Sequence, residues 1–218
     1  MYNTVLFDLD GTLTDPGLGI TNSVMYALNK FNITVEDRTS LYKFIGPPLR
    51  ESYEKYYHLS DEEITRAVAY YREYFSDKGI YENELYDGIT EVLKQIKNSG
   101  RQVILATSKP EEFAVEILRY FQIDQYFDFV AAATMDGTRN NKADIIAYAL
   151  ELGQITDLQS AVMIGDREYD INGAKAAGLD SIGVLYGYGS REELESAGAT
   201  YIVESVDEIL ALINRDIS

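Results

Sequence analysis

The stretch VLFDLDGTL, residues 5–13, decides the fold of this 218-residue chain. An apolar run, Thr4–Phe7, ends at Asp8, Asp10 and Gly11, which predicts a buried strand that delivers two carboxylates to a loop. Ligand sites of parallel α/β sheets lie at such strand ends. An isolated match of this kind is also compatible with an ordinary solvated turn, so the rest of the chain has to decide between the two interpretations.

Further apolar runs along the chain alternate with segments of helical periodicity, which predicts a doubly wound parallel sheet with a Rossmann-like α/β core. The predicted strands are Val103–Ala106, Phe129–Ala133, Ala161–Ile164, Ser181–Leu185 and Tyr201–Val203. The predicted helices are Glu111–Phe121, Lys142–Leu152, Tyr169–Ala177, Arg191–Ala197 and Val206–Ile213.

The pattern changes between Gly17 and about Glu84, where amphipathic helical stretches follow one another without a convincing strand. This periodicity predicts an inserted helical cap domain, residues 15–84. The rest of the chain, residues 1–14 and 85–218, is then a discontinuous α/β catalytic core. Asp15-Pro16-Gly17 and Tyr81–Asp87 are the predicted connecting segments.

Composition narrows the function classes. The formal net charge of -17 repels nucleic-acid backbones and anionic lipid surfaces, so we expect neither as a partner. The sequence contains no cysteine, which excludes disulfides and thiolate chemistry. No leader peptide or membrane span is recognisable, and we therefore expect a cytoplasmic protein. The expected partner is a small molecule, and the sequence leaves monomer and homodimer as open alternatives.

Two further motifs suit a bound phosphate. Thr107 and Ser108 follow a predicted strand and precede Lys109-Pro110, so we expect a hydroxyl and backbone N–H groups at a helix amino terminus, where anions are favoured. Lys142 opens a predicted helix, where its charge opposes the helix dipole unless an anion lies nearby. An ordinary helix cap and a solvent-facing lysine are the simpler alternatives.

The last motif, GDREYD, places Asp166 and Asp170 one helical turn apart after a strand. Together with Asp8 and Asp10 these carboxylates would repel one another strongly, and Lys142 alone cannot neutralise them. An all-oxygen site with room for water and a phosphate suits Mg²⁺ better than zinc. We therefore expect Mg²⁺ as cofactor, although a capped helix start would explain the motif by itself.

In their order along the chain, DLDGT, Thr107-Ser108, the lone Lys142 and GDREYD resemble the motifs of the haloacid dehalogenase superfamily, and the resemblance spans essentially the whole chain. The helical insertion and the string GYGSREELESAGA, residues 187–199, are similar to its phosphoglycolate phosphatase-like branch. The resemblance implies that Asp8 is the nucleophile and Asp10 the general acid/base. It also implies that Gly11, Thr107, Ser108 and Lys142 bind the substrate phosphate, and that Asp8, Asp10 through its backbone carbonyl, and Asp166 bind the metal, with Asp170 in support.

The resulting hypothesis is a Mg²⁺-dependent phosphatase that hydrolyses a small phosphomonoester through an aspartyl-phosphate. Phosphoglycolate, a sugar phosphate and a nucleoside monophosphate are the candidate substrates. A phosphate mutase and a non-catalytic phosphate-binding module are the alternatives. Ser108 and Arg167 depart from residues frequent in the family, which loosens the assignment to phosphoglycolate. Lys43 and Arg50 in the predicted cap are candidates for binding an anionic substrate tail, with solvated surface charge as the alternative.

Overall fold

A computed structural model describes residues 1–214. The chain forms two compact units. One unit comprises Met1–Thr14 together with the chain from Leu85 onward, and the other is the insertion Asp15–Glu84. The predicted core extends to residue 218, and its last four residues lie outside the described part of the chain.

The chain contains eight strands within the described residues. They are β1 (Thr4–Phe7), β2 (Thr14–Asp15), β3 (Glu84–Leu85), β4 (Gln102–Pro110), β5 (Phe129–Ala133), β6 (Ala161–Gly165), β7 (Asp180–Val184) and β8 (Tyr201–Val203). The α-helices are α1 (Gly17–Asn29), α2 (Leu49–Tyr57), α3 (Asp61–Tyr74), α4 (Ile89–Asn98), α5 (Glu111–Tyr120), α6 (Lys142–Leu152), α7 (Glu168–Ala177), α8 (Arg191–Ala197) and α9 (Val206–Ile213). Short 3₁₀ helices cover Arg38–Phe44, Asp124–Tyr126 and Leu158–Ser160, and Phe75–Gly79 is a π-helix.

Six strands form one parallel sheet in the order β5-β4-β1-β6-β7-β8. Strand β1 pairs with β4 on one side and β6 on the other, and all four of its residues are buried. A strand covered on both faces needs a continuous apolar run rather than alternation, which is what Thr4–Phe7 provides. The sheet and its helices confirm the predicted Rossmann-like α/β class.

A cluster of buried apolar side chains packs between α6 and the neighbouring strands of the sheet. Helix α6 contributes the buried residues Ile145, Ile146 and Ala149 to a cluster that also contains Leu6 and Met163 from neighbouring strands. These strands deliver their carboxyl ends to one edge of the sheet, so side chains that follow β1, β4 and β6 are brought together there.

Two local expectations were wrong or incomplete. Strand β4 continues to Pro110, four residues beyond the predicted end. Helix α4 was not predicted, although Ile89, Val92, Leu93 and Ile96 are buried on one face at helical spacing. The helical signal was therefore present in the sequence and was overlooked.

The insertion is helical apart from its two connecting strands. Several of its tyrosines pack against other aromatic rings: Phe44 and Tyr53 meet edge to face with centroids 5.1 Å apart, and Tyr71 stacks on Phe75 at 5.5 Å. Helix packing thus accounts for these rings without a ligand. Within residues 1–214, every helix is too short or too polar to cross a bilayer.

Candidate active site

Asp8 and Asp10 lie in a tight loop directly after β1. The Asp8 N–H donates to the Ile164 carbonyl at 2.9 Å, and the Gly11 N–H donates to the Thr14 carbonyl at 2.8 Å. Gly11 has φ +83°, and a Cβ on it would lie 2.2 Å from Asp166 Oδ2. The loop therefore needs glycine both for its conformation and for the close approach of Asp166.

Lys142 is a buried cation that joins two of the carboxylates. Its Nζ lies 2.7 Å from Asp8 Oδ1 and 2.8 Å from Asp170 Oδ1, and it also donates to the Ala106 carbonyl at 2.9 Å. Helix α6 begins at this residue, capped by the side chain of Asn141. The side chain is 4% exposed, so Lys142 is not a solvent-facing helix charge.

Asp166 and Asp170 are also buried at this edge of the sheet. Asp166 Oδ2 accepts the Tyr188 N–H at 2.7 Å, whereas its Oδ1 has no hydrogen-bond partner among the described residues. Asp170 Oδ2 accepts the Arg167 N–H at 3.1 Å. A Cβ on Gly165 would lie 2.2 Å from Asp170 Cγ. The Asp170 carboxylate therefore fits only because the last residue of β6 has no side chain.

The carboxylates of Asp8, Asp166 and Asp170 form a group whose ligand oxygens all lie within 4.8 Å of one another. Burial, followed by the charges of Asp170 and Asp8, raises the pKa of Asp166 well above its usual range. Burial also raises the pKa of Asp170 to about 6, even though Lys142 lowers it. A divalent cation fits this oxygen-rich group, because it would relieve the repulsion and take the unpartnered Asp166 Oδ1.

Asp10 is not a member of that group, and its carboxylate is paired with a second buried lysine, Lys109. Its Oδ2 accepts from Lys109 Nζ at 2.5 Å, while its Oδ1 is buried without a partner in the described chain. Burial raises the pKa of Asp10, and Lys109 opposes the change. Sequence reasoning missed Lys109, since a lysine before a proline at a strand end has no pattern that marks it as buried.

Thr107 and Ser108 do not lie at a helix amino terminus, and that expectation was wrong. Both belong to β4, and α5 begins only at Glu111. The sequence TSKP is typical of a helix cap, but Thr107 and Pro110 both pair with β5, and the register shifts between them, as at a β-bulge. Thr107 is buried and its Oγ1 accepts the Lys109 N–H at 3.3 Å, whereas Ser108 is partly exposed.

Arg167, which follows the strand-end glycine and aspartate, is turned toward α8. Its Nε donates to Glu193 Oε1 at 2.8 Å, and the same oxygen accepts the Glu168 N–H at 2.9 Å. Glu193 therefore accepts hydrogen bonds from both Arg167 and the first residue of α7. Arg167, which departs from the residue frequent in the family, thus has a structural partner.

The two cations proposed for the insertion are both engaged locally. Arg50 donates to Thr65 Oγ1 at 3.2 Å and lies 3.3 Å from Asp61 Oδ1 on an exposed surface. Lys43 Nζ lies 4.2 Å from the centroid of the Tyr56 ring. Within the insertion, Arg50 therefore takes part in a surface ion pair, and Lys43 makes a cation–π contact.

The central strand of the parallel sheet ends at two buried aspartates, Asp8 and Asp10, and each is paired with its own buried lysine. With the buried carboxylates of Asp166 and Asp170 close to Asp8, this arrangement suits a hydrolase that works by phosphoryl transfer. The chain belongs to the haloacid dehalogenase-like hydrolase family, whose model matches residues 5–184. Within that family it is a phosphatase of phosphoric monoesters, and its substrate is a small phosphorylated molecule.

Three proteins are similar to this chain over most of its length. A 5'-nucleotidase of Pseudomonas aeruginosa is 42% identical over 200 residues, which are 92% of this chain and 90% of that protein. The crystal structure of a predicted phosphatase from Clostridium acetobutylicum is 52% identical, covers 98% of both chains and superposes with a TM-score of 0.95. The tyrosine-protein kinase PtkA of Mycobacterium tuberculosis is 37% identical over 94% of this chain and 70% of its own.

Proposed function

We propose that the chain is a Mg²⁺-dependent phosphatase that transfers the phosphoryl group of a small phosphomonoester first to Asp8 and then to water. The observation that carries the proposal is the pairing of Asp8 with Lys142 at 2.7 Å, beside Asp10, whose Oδ1 has no partner among the described residues. One carboxylate is held by a cation, and the second has an oxygen available for proton transfer.

In the first step, an Asp8 oxygen attacks phosphorus as the bond to the ester oxygen breaks. Asp10 gives its proton to that leaving oxygen, which departs as an alcohol. A raised pKa suits this role, because the carboxyl then holds a proton more readily near neutral pH. In the second step Asp10 takes a proton from water, whose oxygen attacks phosphorus, and the bond to Asp8 breaks to release phosphate.

Positioning and charge supply most of the catalysis in such transfers. Lys142 would hold the phosphoryl oxygens and orient Asp8, assisted by Thr107, Ser108 and the backbone at Gly11. The residues proposed to hold Mg²⁺ are Asp8, the Asp10 backbone carbonyl and Asp166, with Asp170 in support. When bound, the ion neutralises charge on the carboxylates and on the transferring phosphoryl group.

Among the candidate substrates, the similarity to a 5'-nucleotidase favours a nucleoside monophosphate. Phosphoglycolate and sugar phosphates remain within the proposal, and Lys43 and Arg50 are the residues proposed to meet an anionic group distant from the reacting phosphate. A mutase would use the same residues but return the phosphoryl group to substrate, so its product would be an isomer rather than free phosphate.

The test is phosphate release from phosphoglycolate, several sugar phosphates and several nucleoside monophosphates, each with Mg²⁺ or with EDTA. Native protein, Asp8→Asn and Asp157→Asn are compared, the last being a control that removes an exposed carboxylate. We expect release that requires both Mg²⁺ and Asp8 and that the control retains. Release unaffected by Asp8→Asn would contradict the proposed nucleophile, and isomerised substrate without free phosphate would favour the mutase.

A further inference from the structure

The loop Tyr186–Gly189, which follows β7, contacts both Asp166 and the loop after β1, the two segments that carry the proposed metal ligands. No catalytic or binding role was predicted for it from the sequence, although Gly187, Tyr188 and Gly189 begin the string GYGSREELESAGA that resembles the phosphoglycolate phosphatase-like branch. Its contacts with Asp166 and with the loop after β1 nevertheless determine how these two segments meet.

The first contact is from backbone to carboxylate. The Tyr188 N–H donates to Asp166 Oδ2 at 2.7 Å, and the other oxygen of Asp166 is left without a partner in the described chain. A carboxylate fixed through one oxygen has its second oxygen held in a defined direction. Such outer hydrogen bonds are what orient the ligands of metal sites.

The second contact is a close backbone approach that leaves no room for a side chain. A Cβ on Gly187 would lie 2.3 Å from the Gly11 carbonyl oxygen and 2.5 Å from Asp166 Cβ. A Cβ on Gly189 would lie 1.9 Å from the Asp166 carbonyl oxygen. The loop is therefore packed directly against the backbone on both sides of the carboxylate cluster, and any movement of one displaces the other.

The third contact ties the loop to the segment that carries Asp8 and Asp10. The Tyr186 hydroxyl donates to the Thr12 carbonyl at 3.0 Å, and its ring meets that of Tyr86 edge to face at 4.9 Å. The Tyr86 N–H in turn donates to the Leu13 carbonyl at 3.1 Å. Two tyrosines thus hold successive carbonyls of one loop.

From these contacts we propose that the Tyr186–Gly189 loop positions Asp166 relative to Asp8 for metal binding, and that Tyr186 is a positioning residue acting through Thr12. The inference rests on the proposed function, because it concerns the ion that this function requires. Tyr186 touches neither substrate nor metal in this scheme. Its loss should therefore weaken metal binding rather than remove a reacting group.

The experiment measures Mg²⁺ binding to the metal-free protein by calorimetry, together with the rise in melting temperature that Mg²⁺ produces. Tyr186→Phe keeps the ring and removes the hydroxyl, and Gly187→Ala inserts a methyl between Gly11 and Asp166. We expect Mg²⁺ dissociation constants raised about threefold or more by Tyr186→Phe and about 10-fold to 100-fold by Gly187→Ala, the range for outer contacts of metal ligands.

Matched controls separate positioning from general stability. Tyr2→Phe removes another buried tyrosine hydroxyl, which donates to Asp180 Oδ2 at 2.6 Å away from the carboxylate cluster. Gly183→Ala crowds Leu194 Cδ1 at 2.9 Å rather than Asp166. Both are expected to keep native Mg²⁺ affinity even if they melt earlier.

Native affinity in both Tyr186→Phe and Gly187→Ala would overturn the inference while leaving the proposed function intact. The same weakening in the control variants would also overturn it, because the effect would then be one of stability. Failure of the unaltered protein to bind Mg²⁺ would instead overturn the proposed function, and the positioning role with it.

Discussion

The carboxylate cluster and the insertion's cations are two charged regions built in opposite ways. At the sheet edge, Asp8, Asp166 and Asp170 are buried and mutually repulsive, and one buried lysine joins two of them. In the insertion, Arg50 is paired with a surface aspartate and Lys43 lies over an aromatic ring. Buried charges that remain incompletely compensated indicate a ligand, whereas exposed charges with local partners need none.

The largest effect is expected from Lys142→Met, which removes the cation that joins Asp8 to Asp170. In EDTA, Asp8 and Asp170 would lose their buried partner, at a cost of about 3–5 kcal/mol in the free energy of unfolding. With Mg²⁺ present, kcat/KM should fall roughly 10²- to 10³-fold, as for loss of a preorganised charge. Urea unfolding and phosphate release measure the two effects.

Lys175→Met, on the exposed side of α7, is the matched control and should change neither quantity appreciably. If Lys142→Met kept activity within a few-fold of native while remaining folded, the cluster would not depend on its lysine. The contrast with the insertion's cations would then fail.

A smaller effect is expected from Lys109→Met, which leaves Asp10 without its cation. The role proposed for Asp10 is proton transfer, so kcat should fall about 10²-fold, while KM for a nucleoside monophosphate changes little. Lys109→Arg should restore part of the loss, because it keeps a charge near Asp10. Steady-state kinetics on all three proteins provide the comparison.

The control is Lys97→Met, which removes a lysine paired with Asp128 at a partly exposed position. A change confined to KM in Lys109→Met would contradict the proposed link to Asp10 and would favour a direct contact between Lys109 and substrate.

The smallest effects should come from the insertion. For a substrate with a second anionic group, Lys43→Ala should raise KM about two- to fivefold with kcat unchanged, which is the size of one exposed ion pair. Arg50→Ala should do less, since Asp61 and Thr65 already engage its guanidinium. A substrate without the second anionic group is the control, and an equal rise in its KM would remove the specificity role from both residues.

The sequence predicted the sheet because parallel strands covered on both faces are apolar runs, and β1, β5 and β6 have that pattern. It also indicated which aspartates and which lysine would share a strand-end edge, and the structure places Asp8, Asp166, Asp170 and Lys142 together there. Their catalytic and metal-binding roles remain predictions.

What the sequence did not indicate depends on tertiary contacts. The end of β4 has the sequence of a helix cap, whereas in the structure Thr107 and Pro110 pair with β5 on either side of a shift in register. Lys109 has no local pattern, because its importance comes from an aspartate about a hundred residues away. The string from Gly187 resembles relatives, but the role proposed for the Tyr186–Gly189 loop depends on the space around Asp166, which the sequence does not show.

The most direct test of the account is to identify the residue that carries the phosphoryl group during turnover. The protein is mixed with radiolabelled substrate and Mg²⁺, quenched in acid within one turnover and digested, and the labelled peptide is sequenced by mass spectrometry. We expect a hydroxylamine-sensitive label on Asp8 that is absent in Asp8→Asn. Label on another residue, or full phosphate release in a single turnover without any labelled protein, would contradict it.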